Sequence, residues 1–190
     1  MNIEQFVMAY GCEHDKIRSI LPDGFVSLRP VFRINAEIRD NKNGYIEFNT
    51  AVEKDNIKGW LNIASWDDVA FSKDGNITIF ETENLKISFR KTGAIGGCPA
   101  EKDNDGCFFI GETITLRLPE TIFQNKEFCD CGFEWTMDDI STHGVSIGKT
   151  LPAIPTGIKT IYPKQDFSVR NAIAIGCTQV LGSYTVCFER

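Results

Sequence analysis

The residues best suited to chemistry stand in two short alternating runs. Glu37 lies between Arg33 and Arg39 in one row, and Glu47 shares a second row with Tyr45 and Asn49. Residues at i, i+2 spacing on a strand line a single face. If these rows face solvent, they are the wet side of a sheet. If the sheet closes with them inward, they form a polar cavity in which burial and the arginines tune the carboxylates. The spacing fits both readings.

Lysines are the second source of chemistry. An amine neutral near pH 7, made so by desolvation or a neighbouring cation, can form an imine with a carbonyl compound. Lys73 follows an apolar stretch in Ala70-Phe71-Ser72-Lys73-Asp74-Gly75, and Lys86 and Lys91 lie on or after the next strand. Taken singly, each is expected to be a solvated surface lysine.

Other motifs point to ordinary structure. Cys129 and Cys131 are separated by one residue and Cys98 and Cys107 by eight, whereas structural zinc ligands pair as C-x₂₋₄-C. Buried reduced thiols are therefore expected, with no metal and no cofactor. Only His14 and His143 could serve a nucleophile as base, and neither sits in a nucleophile motif. Gly93-Ala94-Ile95-Gly96-Gly97 lacks the Lys-Ser/Thr ending of a phosphate loop and reads as a turn.

The elements that must position these groups are mostly strands. Period-2 alternation marks Phe6 to Tyr10, Phe32 to Ile38, Tyr45 to Glu53, Gly59 to Trp66, Asn76 to Thr82, Leu85 to Arg90, Cys107 to Leu118 and Phe128 to Thr136. Further candidates are Val145 to Ile147, Ile158 to Tyr162 and Ala172 to Phe188, with Leu151 to Pro155 an extended connection. One helix is expected from Glu13 to Leu21, with Ile17, Ile20 and Leu21 on one face and Pro22-Asp23-Gly24 ending it. Asp40 to Gly44 and Lys54-Asp55-Asn56 read as hairpin turns, a third falls near Glu83-Asn84, and residues 92–106 read as a long loop. The expected fold class is mainly β, a barrel or closed sandwich with one or two short helices, in a single domain spanning 1–190.

Composition bounds the partners. At 190 residues and 42% hydrophobic, the chain needs no disulfide or metal to hold a core. Against 26 acidic residues stand 20 basic ones, and no run of four or more basic residues occurs. Nucleic acid and anionic membrane surfaces are therefore not expected partners. The first residues lack a basic, apolar leader and no long apolar span occurs, so the expected location is cytoplasmic.

Tyr10 to Leu21, Pro22 and then Pro30-Val31-Phe32-Arg33-Ile34 resemble the opening of the acetoacetate decarboxylases, a short helix closing in Leu-Pro before an apolar strand. Tyr45-Ile46-Glu47 resembles the family's next strand, which carries an acidic active-site residue; Gly59 to Asn62 and Asn76 to Lys91 resemble later ones. The likeness covers roughly the first 90 residues. It implies a double-psi-type β-barrel around a pocket for a small keto acid or carboxylate. It further implies Lys73 as imine-forming nucleophile, with Glu47 beside it in the catalytic set and Glu37, Arg33 and Tyr45 contacting ligand. Two departures point away from acetoacetate decarboxylation itself: the family's paired lysines are missing, and Ile3 stands where an arginine is expected. The alternatives are a non-catalytic ligand-binding barrel or a structural assembly subunit, and homo-oligomerisation is left open.

Overall fold

The computed structural model describes residues 1–19, 21–82, 85–96, 107–110, 113–116, 121–122, 125–135, 141–142, 145–146 and 179–190. Its first half runs β1 (Asn2–Gly11), α1 (His14–Ser19), β2 (Val26–Ser27), β3 (Val31–Arg39), β4 (Asn43–Lys54), β5 (Ile57–Asp74), β6 (Ile77–Glu81) and β7 (Leu85–Ile95). There follow β8 (Cys107–Ile110), β9 (Thr113–Leu116), β10 (Thr121–Ile122), β11 (Glu127–Trp135), β12 (Ser141–Thr142), β13 (Val145–Ser146) and β14 (Gln179–Glu189). Among the described residues α1 is the single helix, and none is long and apolar enough to cross a membrane.

The sheet closes on itself. Pairing runs β4–β3–β1–β14–β11–β7–β6–β5, and β5 returns to β4, so the ring has no free edge at this join. All of these pairings are antiparallel. The fold is a mainly-β barrel. Apolar side chains from around the ring fill its interior, among them Phe6, Met8, Phe32, Phe48, Phe80, Ile87, Phe89 and Cys131. Phe6 of β1 reaches Phe80 of β6, on the far side of the ring, with centroids 5.5 Å apart. The even-numbered residues of β1 and β3 thus point inward.

Turn chemistry accounts for the hairpins. Asp40, Asn41, Asp55 and Asn56 adopt positive φ, which short polar side chains tolerate. Several boundaries differ from expectation. The β5 strand continues through Lys73, so that lysine sits on a strand and not beyond one. The β7 strand continues to Ile95 because Lys91 and Ile95 still find partners in β11, which shortens the expected loop at its start. Cys107 to Leu118 is not one strand: β8 and β9 form an antiparallel pair, Phe109 opposite Ile114. The helix stops at Ser19 as described. The expected strand at 158–162, the connection at 151–155, residues 172–178 and 97–106, Cys98 and His143 lie outside the described residues.

Candidate functional site

The polar rows are neither wet nor inside the barrel. Alternation places Gln5 of β1, Asn35 and Glu37 of β3 and Glu47 of β4 on the outer face, opposite the apolar interior. Yet Glu37 is 0% exposed, Asn35 0% and Glu47 3%. A carboxylate taken out of water is tolerated only when donors replace its hydration, and here they do. Asn35 Nδ2 donates to Glu47 Oε1 at 2.8 Å and reaches Glu37 Oε1 at 3.5 Å, linking the two carboxylates. Tyr45 donates its hydroxyl to Glu47 Oε2 at 2.9 Å, and Asn49 Nδ2 donates to Oε1 at 3.3 Å. Glu37 accepts from Arg39 Nε at 2.8 Å, from Arg190 at 3.3 Å and from Gln5 at 3.5 Å.

Electrostatics and stacking reinforce this arrangement. The Arg39 guanidinium lies 3.8 Å from the centre of the Tyr45 ring. Burial, and then the charge of Glu47, push the Tyr45 hydroxyl well above its ordinary value, so it stays a proton donor. Two acceptors in the cluster, Asn35 Oδ1 and Asn49 Oδ1, have no hydrogen-bond partner among the described residues. Each such buried oxygen can accept a hydrogen bond from a bound molecule.

Two irregularities in β5 shape the site. Against β4, β5 carries extra residues between Trp66 and Val69 and between Asn62 and Ala64. The first includes Asp68 at positive φ and brings Asp67 to 4.0 Å from Arg39. It also presses the Val69 carbonyl against Gly44, where a Cβ would sit 2.2 Å from the oxygen. The second bulge reverses the facing of the strand. Trp66 packs on the interior core, while Trp60 turns outward beside Ala51 and Phe108. There Trp60 meets Arg33, whose guanidinium carbon lies 4.7 Å from the ring centre.

Of the residues expected in the site, Glu37, Glu47 and Tyr45 converge, and Arg33 continues their face one step along β3. Lys73 lies elsewhere. It follows Val69 and Phe71 on the interior row and gives its ammonium to Glu4 at one end of the barrel. Lys91 donates to the same carboxylate at 2.9 Å. Burial raises the Glu4 pKa, but the two lysine hydrogen bonds outweigh it and hold the carboxyl below its ordinary 4.5. Lys91 is held above its ordinary value because Glu4 outweighs desolvation. Lys86 pairs with Glu81 at 3.8 Å. Cys129 and Cys131 are buried free thiols, both pushed up to about 12 mainly by burial. Cys131 also shares a 2.6 Å hydrogen bond with Ser183.

Sequence reasoning passed over Gln5, Arg190 and Trp60. Asn35 and Asn49 stood in the alternating rows, but nothing local marks Gln5 or Arg190 as neighbours of Glu37. Ile3, where the resemblance expects an arginine, is buried against Val186 and Phe188. Arg39 and Arg190 bring guanidiniums to the cluster instead.

No protein-family model matches the sequence, and no curated protein matches it. Solved structures do. An acetoacetate decarboxylase from Legionella pneumophila superposes with a TM-score of 0.64 at 12% identity, covering 99% of this chain and 82% of that one. The fold is that of the acetoacetate decarboxylases. An acetoacetate decarboxylase-like enzyme from Sphingomonas wittichii RW1 matches at TM-score 0.58 and 8% identity, over 98% and 87% of the two chains. The enduracididine biosynthesis enzyme MppR complexed with pyruvate matches at 0.51 and 9%, over 98% and 84%. The decarboxylase-like fold thus extends well beyond the 90 residues that carry the resemblance in sequence.

Proposed function

We propose that this acetoacetate decarboxylase-like barrel binds a small keto or carboxylate compound on its outer face, against Glu47, Asn35 and Tyr45. The observation that carries this reading is the buried Glu37–Asn35–Glu47 network. It orients two carboxylates away from bulk water and leaves two amide oxygens seeking donors. Arg33, on the same row, is the cation for the ligand's carboxylate. Glu47, oriented by three donors, is the group to take or return a proton at the ligand's carbonyl or at the carbon beside it. Tyr45, kept protonated, donates to Glu47 and fixes which oxygen is used. The pyruvate complex of MppR, a protein with this fold, supports a keto acid as ligand.

Imine chemistry on Lys73 is a second reading with its own observation, the convergence of Lys73 and Lys91 on Glu4. Lys73 must leave Glu4 and lose its proton before it can attack a carbonyl, and the adduct would then sit at the barrel end, away from Glu47. The two readings separate cleanly. Glu47→Gln should weaken binding of pyruvate or acetoacetate with little change in melting temperature; a large loss of stability with unaltered affinity would make Glu47 structural. Borohydride treatment with the same keto acids, followed by intact-mass measurement, tests the imine. An adduct mapped to Lys73 and lost in Lys73→Arg establishes it, and no adduct leaves a binding barrel without lysine chemistry.

A further inference from the structure

Next to the carboxylate network, on the same outer face, a cavity of about 180 Å³ opens between β1, β3, β5 and β14. Its walls are apolar where Val7, Ala9, Val31 and Leu181 contribute, and cationic where Arg29 and Arg33 do. Both guanidiniums gather on one indole, with the Arg29 and Arg33 carbons 5.2 and 4.7 Å from the centre of the Trp60 ring. Arg33 is only 6% exposed, whereas Arg29 is exposed at the surface.

A guanidinium stacked over an indole presents its N–H groups at its rim, where a planar oxyanion can take two parallel hydrogen bonds. Arg29 and Arg33 bring two guanidiniums to one wall of the cavity in a chain whose formal charge is −6. Their positions differ in kind. Arg33 is a buried, fixed cation, and Arg29 stands at the mouth. At about 180 Å³ the cavity suits a small ligand rather than a nucleotide or a long chain.

We propose that Arg29, Arg33 and Trp60 form an oxyanion site that holds the charged end of a small planar monoanion, its short carbon portion lying against Val7, Ala9 and Val31. In the context of the function proposed above, on which the identity of the ligand rests, the oxyanion is the carboxylate. The remainder of the molecule stays in the cavity beside Val7, which pairs with Asn35 across β1 and β3. Arg29 becomes a specificity determinant that selects charged over neutral carbonyl compounds.

The test is calorimetric titration of the whole chain with pyruvate, acetoacetate, inorganic phosphate and uncharged acetone. The proteins compared are the wild type, Arg29→Gln, Arg33→Lys and Glu47→Gln. The expected result is carboxylate binding without acetone binding. Affinity should drop about tenfold or more in Arg29→Gln, the effect of losing one charge-assisted contact, with the melting temperature unchanged. Arg29 is exposed, so this variant remains informative if Arg33→Lys folds poorly. Phosphate binding that depends on Arg29, with no carboxylate binding, overturns both the selectivity for a planar monoanion and the keto or carboxylate function. Carboxylate binding sensitive to Glu47→Gln but indifferent to Arg29→Gln and Arg33→Lys overturns the oxyanion site and leaves that function standing. Absence of binding by every anion overturns both.

Discussion

Glu37 shows how a charge is kept where water cannot reach it. Its oxygens accept from Arg39, Arg190, Gln5 and Asn35, which lie on β3, at the end of β14 and on β1. Removing the acceptor takes away the fully buried carboxylate that Arg39 and Arg190 share, so the cost exceeds that of a surface ion pair. Glu37→Leu should destabilise the fold by about 3 kcal/mol or more, read from the shift of the urea midpoint at constant slope. A change below about 1 kcal/mol, the range of an exposed pair, would mean that the arginines are satisfied elsewhere. Glu37→Gln keeps an acceptor oxygen and the side-chain volume, and should lose less.

At the scale of the element, the bulges of β5 do work that regular pairing could not. An extra residue re-aims every side chain beyond it. That is how Trp60 and Trp66, an even number of residues apart, come to serve opposite faces. The close approach of β5 to β4 at Gly44 is part of the same device. Gly44→Ala would drive a methyl group into the Val69 carbonyl, a backbone contact that no rotamer relieves. The expected cost is about 2 kcal/mol or more, measured by thermal or chemical unfolding. Gly182 provides the control. It lies in a strand with no atom within 4 Å of a built Cβ, so Gly182→Ala should be neutral or stabilise by up to about 1 kcal/mol. Equal losses in both variants would show that the Gly44 contact is not the cause.

Across the whole molecule, one interior cluster ties the ring together, and the Lys73–Glu4–Lys91 group caps an end of it. Burial alone would raise the Glu4 pKa, but the lysines depress it below 4.5. A carboxylate depressed on folding contributes stability that is present above its unfolded value and is lost as pH falls through its folded value. Lys91, raised on folding, contributes below its ordinary 10.5 and loses that contribution as pH rises through its folded value. Glu4→Gln should therefore flatten the decline of melting temperature on acidification below about pH 4.5. A decline as steep as in the wild type would place the acid sensitivity in other carboxylates.

The sequence by itself determined that this protein would be built from strands, and which residues of β1, β3 and β4 share a face. Alternating apolar and polar side chains can be satisfied only by a sheet with two unlike sides. It also marked Glu37, Glu47, Tyr45 and Arg33 as a group, because i, i+2 spacing puts neighbours in a row within a strand and hairpin turns place two rows side by side. The decarboxylase-like pattern of the first 90 residues was visible for the same reason: helix, Leu-Pro and paired strands are local features. Only the tertiary structure decided that the polar face would be buried on the outside of the barrel. Only it brought Gln5 and Arg190 to Glu37, joined Lys73 and Lys91 at Glu4, and turned Trp60 toward Arg33. Those contacts depend on ring closure and on two bulges. The pairing of β14 with β1, and of β1 with β3, joins residues as far apart as 37 and 190, and a bulge reverses the facing rule from which every sequence pattern is read.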